Sequence, residues 1–243
     1  MSDTMRSLLF AVALCLVCSL LLTAAATGLK GYQRENIELD RRRNLLKSVN
    51  LLSPDGGNTA QEIRSIYEAN ITEIAVDRAG RVVPAGERSP GDLPVYLYRT
   101  DGAIRAYIIP IDTRGLWGKI KGYLALDSDG ATVAGFTVYQ HSETPGLGGE
   151  IEQRWFQKNF VGKKIVGRSG DFVSISVAKG AAAAVPADKQ LNYVDGISGA
   201  TLTGRFLTAG LKNILEEYEP VSVQFRGHRM LRMPAAETEK AKP

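Results

Sequence analysis

The chain has 243 residues, of which 44% are hydrophobic and 23% charged, and its net charge is +4. This is an ordinary globular composition, and one domain of about 200 residues can bury a sizeable core. The basic residues form no long stripe interleaved with aromatic side chains, which argues against nucleic-acid binding. The only cysteines, Cys15 and Cys18, lie in an apolar N-terminal segment. A disulfide, a cysteine-ligated metal and a thiol nucleophile are therefore excluded from the rest of the chain.

The first predicted element is a membrane anchor over residues 1–30. Ser7 to Leu29 carry no charge, and as a helix they reach about 34 Å, enough for a hydrocarbon core of about 30 Å. The alternative is a signal peptide, with Arg6 as its basic flank and Ala24-Ala25-Ala26 as its cleavage site. The unbroken apolar run to Leu29 favours a retained anchor. Cys15 and Cys18 have a C-x-x-C spacing, but their place in a lipid-facing helix favours small apolar fillers over a membrane metal site.

The charges that flank this segment bear on its orientation. Lys30, Arg34 and Arg41-Arg42-Arg43 follow the span, whereas Arg6 alone precedes it. Counted by themselves, these residues place the large domain in the cytoplasm.

The remaining chain divides into three predicted parts. Residues 31–57 are predicted to form a charged helical connector that ends at the Pro- and Gly-containing break 53–57. Residues 58–220 form the main domain, and residues 221–243 form a polar, basic tail that is extended or frayed.

Within the domain, hydrophobic periodicity and β-branched runs predict both helices and strands. The predicted helices cover 59–70, 151–160 and 202–217, and the predicted strands cover 95–99, 103–110, 122–126, 132–139 and 171–177. Asp101-Gly102 and Asp129-Gly130 separate pairs of strands, which is typical of hairpins. The fold class is therefore α+β: a single N-terminal transmembrane helix, then a domain with an antiparallel sheet flanked by helices.

The usual nucleotide and metal motifs are missing. The glycines of 146–149 lack the spacing of a dinucleotide-binding turn, and 162–164 lack the first glycine of a phosphate-binding loop. His141 and His228 are far apart, so a histidine metal site is not predicted. No residue is assigned an acid–base role, and NADH binding within this chain has no support.

Two segments carry the chemistry. Residues 195–201 read Asp-Gly-Ile-Ser-Gly-Ala-Thr before a helix, and they suit either a turn capped by Ser198 or Thr201 or a phosphate site at a helix N-terminus. Residues 141–151 form a polar, glycine-dense loop after a strand. On structural grounds alone, these residues are a strand end, a Pro-Gly turn and a helix start. A polar loop of this length is costly, however, unless it wraps a ligand.

These segments resemble known sequences. Asp-x-x-Ser-Gly-Ala-Thr at 195–201 is similar to the motif at which periplasmic flavin transferases attach FMN through a phosphodiester to the final threonine. With Gly115-Leu116-Trp117, 122–126 and the loop 143–150, it resembles the C-type subunit of the Na⁺-translocating NADH:quinone oxidoreductase. The likeness covers the anchor and most of 93–217.

The resemblance implies a covalent FMN and a set of residues around it. Thr201 is the implied attachment point, and Asp195, Ser198, Gly199 and Ala200 complete the recognition motif. Glu143, Thr144, Leu147 and Gly148 match the loop that lines the isoalloxazine ring. Lys179 corresponds to a lysine that follows a strand and meets the phosphate.

The resemblance also implies partners and a location. Thr201 has no base beside it in sequence, so an external periplasmic flavin transferase that uses FAD and Mg²⁺ is expected. The other partners are the membrane subunits of a six-subunit reductase. The chain is then a single-pass protein of the bacterial inner membrane with its domain in the periplasm, against the charge count. Two alternatives stay open: the G-type subunit of the RNF ferredoxin:NAD oxidoreductase complex, and a membrane-tethered FMN-domain sensor or scaffold.

Overall fold

The computed structural model describes residues 2–52 and 56–230, and it separates into two compact units with the boundary between Asp40 and Arg41. Helix α1 (Asp3–Ser48) is the one helix in these residues that is long and apolar enough to cross a membrane. Its last turns belong to the second unit, where Leu45 and Leu46 are buried. The predicted connector therefore contributes its helical end to the domain. Ser53, Pro54 and Asp55 of the predicted break lie outside the described residues.

Helix α2 (Ala60–Asn70) begins where the sequence predicts a helix, because Thr59 and Glu62 form a capping box. It packs against strands β1 (Ile71–Val76) and β3 (Leu93–Thr100). Strand β1 also pairs with the short β2 (Val82–Val83).

The six-stranded sheet is antiparallel with the order β2-β1-β3-β4-β5-β6. Its last three strands are β4 (Ala103–Arg114), β5 (Lys119–Asp127) and β6 (Val133–Gln140). The predicted hairpins are confirmed, since Asp101 and Gly102 join β3 to β4 with positive φ angles of 52° and 75°. The predicted α+β class with an antiparallel sheet flanked by helices is therefore confirmed.

Both faces of the sheet are covered. Helix α4 (Thr201–Arg226) packs on one face, where it shares a core with alternate residues of β4 such as Tyr107 and Ile109. The end of α1 lies on the other face, where Thr137 donates a hydrogen bond to the Asn44 carbonyl over 3.1 Å.

Two predicted elements are shorter than expected. The helix predicted over 151–160 is a 3₁₀ turn (Gly148–Glu152) followed by α3 (Arg154–Lys158), because Gln153 between them is extended. The strand predicted over 171–177 is reduced to β7 (Ser176–Val177), which pairs in parallel with β8 (Tyr193–Val194). Ser174 has a φ of 78°, which ends regular extended structure before β7.

The prediction of an extended or frayed tail from residue 221 is wrong for residues 221–226. Helix α4 continues past Pro220 to Arg226. The ring of Phe225 is buried and stacks on Tyr107 at 4.1 Å, and the Tyr107 hydroxyl donates to Ser222 over 2.8 Å. These contacts stabilise the last turns of the helix despite the missing N–H of proline. Residues 231–243 lie outside the described part of the chain.

Candidate functional site

One cleft of about 300 Å³ brings together three segments that are distant in sequence. They are the turn between β4 and β5, the loop after β6, and the start of α4. The residues that line the cleft are Leu116, Trp117, Glu143, Thr144, Leu147, Gly148, Gly199, Ala200, Thr201, Leu202 and Thr203. All four residues predicted in the loop lie here, and so do Gly199, Ala200 and Thr201 of the recognition motif.

Glycines allow these segments to approach closely. Gly199 has a φ of 75°, and a Cβ atom on it would lie 2.7 Å from the Leu147 side chain. A Cβ atom on Gly148 would overlap the Thr203 hydroxyl. Both distances are shorter than van der Waals contact, so a side chain at either glycine would force a neighbouring side chain to shift.

Glu143 lies under the cleft rather than on its open surface. Its side chain is 4% exposed. One carboxylate oxygen accepts the Trp117 backbone N–H over 3.0 Å, and the other accepts the Thr203 hydroxyl over 2.5 Å. Glu143 thus links all three segments through charge-assisted hydrogen bonds.

His141 supports the same loop from behind. Its Nδ1 accepts the Glu143 backbone N–H over 3.1 Å, and its Nε2 lies 3.1 Å from Glu152 Oε2. No metal role was predicted for this residue. The position of His141 two residues before Glu143 is the local sequence signal for its contact with the loop.

The two threonines at the start of α4 have opposite environments. Thr201 is exposed, whereas Thr203 is 2% exposed and bonded to Glu143. The interpretation of Ser198 or Thr201 as the capping residue is wrong, because Ala200 is the N-cap and no side chain caps the helix. The first-turn amides of α4 therefore lack the side-chain acceptor that usually satisfies them.

Three predicted site residues do not line the cleft. Ser198 is exposed in the turn before Gly199. Asp195 accepts the Ala182 backbone N–H over 2.6 Å, so its carboxylate shapes the neighbouring loop. Lys179 is exposed in the segment after β7, next to Gly180, whose carbonyl accepts the Gly196 N–H over 2.8 Å.

Several lining residues were not predicted as site residues. Leu116 and Trp117 belong to the Gly-Leu-Trp triplet that contributed to the resemblance, and the Trp117 side chain is 69% exposed. Leu202 is half exposed directly after Thr201. An apolar side chain at an exposed helix start is a signal that could have identified it.

Comparison with known proteins identifies the family of the chain. A sequence profile described as the FMN-binding domain matches residues 115–216. The C-type subunit of the Na⁺-translocating NADH-quinone reductase from Pseudomonas aeruginosa is 35% identical, with 88% of this chain and 90% of that protein aligned. The corresponding protein from Yersinia pestis is 36% identical over 82% of this chain and 83% of that protein.

Solved structures are similar as well. The crystal structure of the C-type subunit from Parabacteroides distasonis has a TM-score of 0.68 and 32% identity, covering 80% of this chain and 96% of that one. NqrC from Shewanella oneidensis has a TM-score of 0.65 at 22% identity, which supports the fold alone.

Proposed function

Because this chain belongs to the family of C-type subunits of the Na⁺-translocating NADH-quinone reductase, we propose that it is a membrane-anchored electron carrier with FMN attached to Thr201. FMN binding and membership of an oxidoreductase complex follow from the family. The covalent bond, the anchor and the periplasmic orientation are the proposal. The observation that carries it is the exposed Thr201 at the uncapped start of α4, in a cleft that the predicted loop residues help to line.

The residues present fit such a group. Trp117, Leu147 and Leu202 offer exposed apolar surface for a flat ring. The uncapped amides of α4 favour a phosphate, because the N-terminus of a helix carries partial positive charge. The exposed Lys179 is a further candidate for the phosphate. A cleft of about 300 Å³ is at the small end of ligand sites, which typically measure about 300–1,000 Å³.

The same geometry supports Thr201 over Thr203 as the attachment point. Thr203 is buried and its hydroxyl donates to Glu143, whereas Thr201 is exposed. An external transferase would form the bond between Thr201 Oγ1 and the FMN phosphorus. The phosphoanhydride of FAD breaks, AMP leaves, and the threonine proton passes to AMP.

Bound FMN supplies one- and two-electron redox chemistry, and the residues of this chain bind, orient and shield it. A phosphodiester tether has rotatable bonds, so it does not fix a ring by itself. Electron transfer requires a defined distance between the flavin ring and the next redox centre. The loop 143–148 supplies the second, non-covalent contact that holds the ring at that distance. The partners proposed for transfer are the other membrane subunits of a six-subunit reductase.

Intact-mass measurement tests the attachment. The chain expressed with a flavin transferase should gain the mass of FMN less one water, and the chain expressed without it should not. Denatured protein should give a fluorescent flavin band that Thr201→Ala removes. A band that survives Thr201→Ala and disappears in Thr203→Ala would show that Thr203, and not Thr201, carries the flavin.

A further inference from the structure

We infer that His141 and Thr203 are positioning residues for the flavin cleft and that both act through Glu143. This inference rests on the proposed function, since it concerns the residues that shape that site. Neither residue was predicted to take part in the site, and the structure brings both into contact with Glu143.

Glu143 is the centre of the arrangement because its buried carboxylate lies against two glycines and accepts two hydrogen bonds. A Cβ atom on Gly115 would lie 2.5 Å from Glu143 Oε1, and one on Gly148 would lie 2.9 Å from Oε2. The carboxylate therefore fills the space that these two glycines leave. Its two hydrogen bonds join the β4–β5 turn to α4 across the floor of the cleft.

Thr203 holds the first turn of α4 against the loop that contains Glu143. It is two residues after Thr201, and its hydroxyl is held over 2.5 Å by a carboxylate that is itself buried. Loss of this donor would leave one oxygen of a buried anion without its partner, which is costly in a protein interior. The start of α4, with Thr201 on it, is thereby held at a defined distance from the loop.

His141 holds the backbone of Glu143 in place through a hydrogen bond. Since Nδ1 accepts the Glu143 N–H, the ring proton of neutral His141 is on Nε2, where it donates to Glu152. The imidazole is fixed at both nitrogens. Glu152 lies in the 3₁₀ turn that ends the loop, so His141 ties the beginning of the loop to its end.

The first test uses the full chain without flavin, in detergent. Amide hydrogen exchange of Trp117 reports its bond to Glu143. In Thr203→Val, protection of the Trp117 amide should fall about tenfold or more, because a hydrogen bond to a charged group contributes that much to a local opening equilibrium. Thr208→Val is the matched control. Thr208 lies on the same helix, outside the cleft, and accepts the Val177 N–H over 2.9 Å, so its variant should leave Trp117 protection unchanged.

His141 is tested by rescue. His141→Leu should lose protection at the Glu143 amide, because both ring nitrogens are gone. His141→Asn should restore much of it, since an asparagine oxygen can accept the N–H two residues later. The inference would be overturned if the Trp117 amide were as protected in Thr203→Val, and the Glu143 amide as protected in His141→Leu, as each is in wild type. This outcome does not depend on whether Thr201 carries flavin.

The second test uses the flavin-loaded chain and follows the visible circular dichroism of the flavin, which requires a fixed ring. Thr203→Val and His141→Leu should reduce the signal towards that of the denatured flavoprotein, while Thr203→Ser, His141→Asn and Thr208→Val should retain it. Unchanged dichroism in the first two variants would overturn the positioning role. If wild-type protein gains no flavin mass with the transferase, that result counts against the proposed function. The exchange test would still show whether Thr203 and His141 hold Glu143 in place.

Discussion

Thr201 and Thr203 are chemically identical and only two positions apart, yet the structure gives them different environments. Two residues advance a helix by about 200°, so one hydroxyl faces solvent while the other faces the protein. Thr201 is exposed, and Thr203 donates to the buried Glu143. At this scale, accessibility rather than residue type separates the proposed attachment point from a structural contact.

Leu147 provides the residue-scale prediction. Its side chain is 43% exposed in the cleft and reaches to the backbone of Gly199. Leu147→Asp should keep the flavin proposed on Thr201, because the proposed attachment depends on the motif at the helix start. The charge should displace the apolar ring, shift its visible spectrum and reduction potential, and slow quinone reduction by the assembled complex. These properties are measured by absorption, redox titration and turnover.

Leu147→Met, which retains an apolar side chain of similar volume, is the matched control and should behave as wild type. Wild-type spectrum, potential and turnover in Leu147→Asp would mean that the loop is a structural turn and the ring lies elsewhere.

At the scale of elements, the position of α4 on the sheet determines where its N-terminus lies. Gly210 is a point of close approach, since a Cβ atom there would overlap the Thr113 hydroxyl on β4. Strand β4 leads directly into the turn that contains Gly115 and Trp117. The packing of one helix on one strand therefore brings two walls of the cleft together.

Gly210→Ala is the element-scale prediction. A glycine in an exposed helix interior usually gains about 1 kcal/mol of stability on replacement by alanine. In this protein, Gly210→Ala should instead lower the free energy of unfolding, because the added methyl group overlaps Thr113. Overpacking typically costs about 1–3 kcal/mol. The midpoint of urea unfolding measures the change in the free energy of unfolding. Gly204→Ala is the comparison, since its methyl group would meet only the Val177 side chain at 3.1 Å. Increased stability in Gly210→Ala would show that α4 is not held this closely.

At the scale of the whole molecule, an apolar helix and a folded domain share one chain. Helix α1 has the length and composition of a membrane span, and its last turns are built into the domain through Leu45 and Leu46. Membrane association and membership of a reductase agree with this organisation. The proposed flavin transferase would act on Thr201 in the compartment that contains the domain, and the proposed compartment is the periplasm.

Reporter fusions after Pro243 test the orientation. We expect alkaline phosphatase fused there to be active and a green fluorescent protein to be dark, because each folds only on its own side of the membrane. The basic residues after the span, including Arg41-Arg42-Arg43, predict the opposite by the positive-inside rule. Fluorescence with inactive phosphatase would refute both the periplasmic orientation and the proposed route of flavin attachment.

Much of the fold could be predicted because its signals are local. Strands β3 to β6, the Asp-Gly hairpins and helix α2 follow from alternation, turn residues and a capping box, each of which acts within a few residues. Strand β1 went unpredicted, and helix α4 was predicted to end early. Pro220 and the polar residues after it indicate a helix end locally, whereas Phe225 and Ser222 are held in place by Tyr107 from a distant strand.

The sequence by itself determined the family, the antiparallel α+β class and the two motifs that carry the site, because motifs and periodicities are properties of short segments. Only the tertiary structure decided that the Gly-Leu-Trp turn, the loop after β6 and the start of α4 share one cleft. It also decided that Glu143 joins them from below with the help of Thr203 and His141. These contacts link residues up to 60 positions apart, and such pairings depend on how helix and sheet pack, which no local pattern encodes.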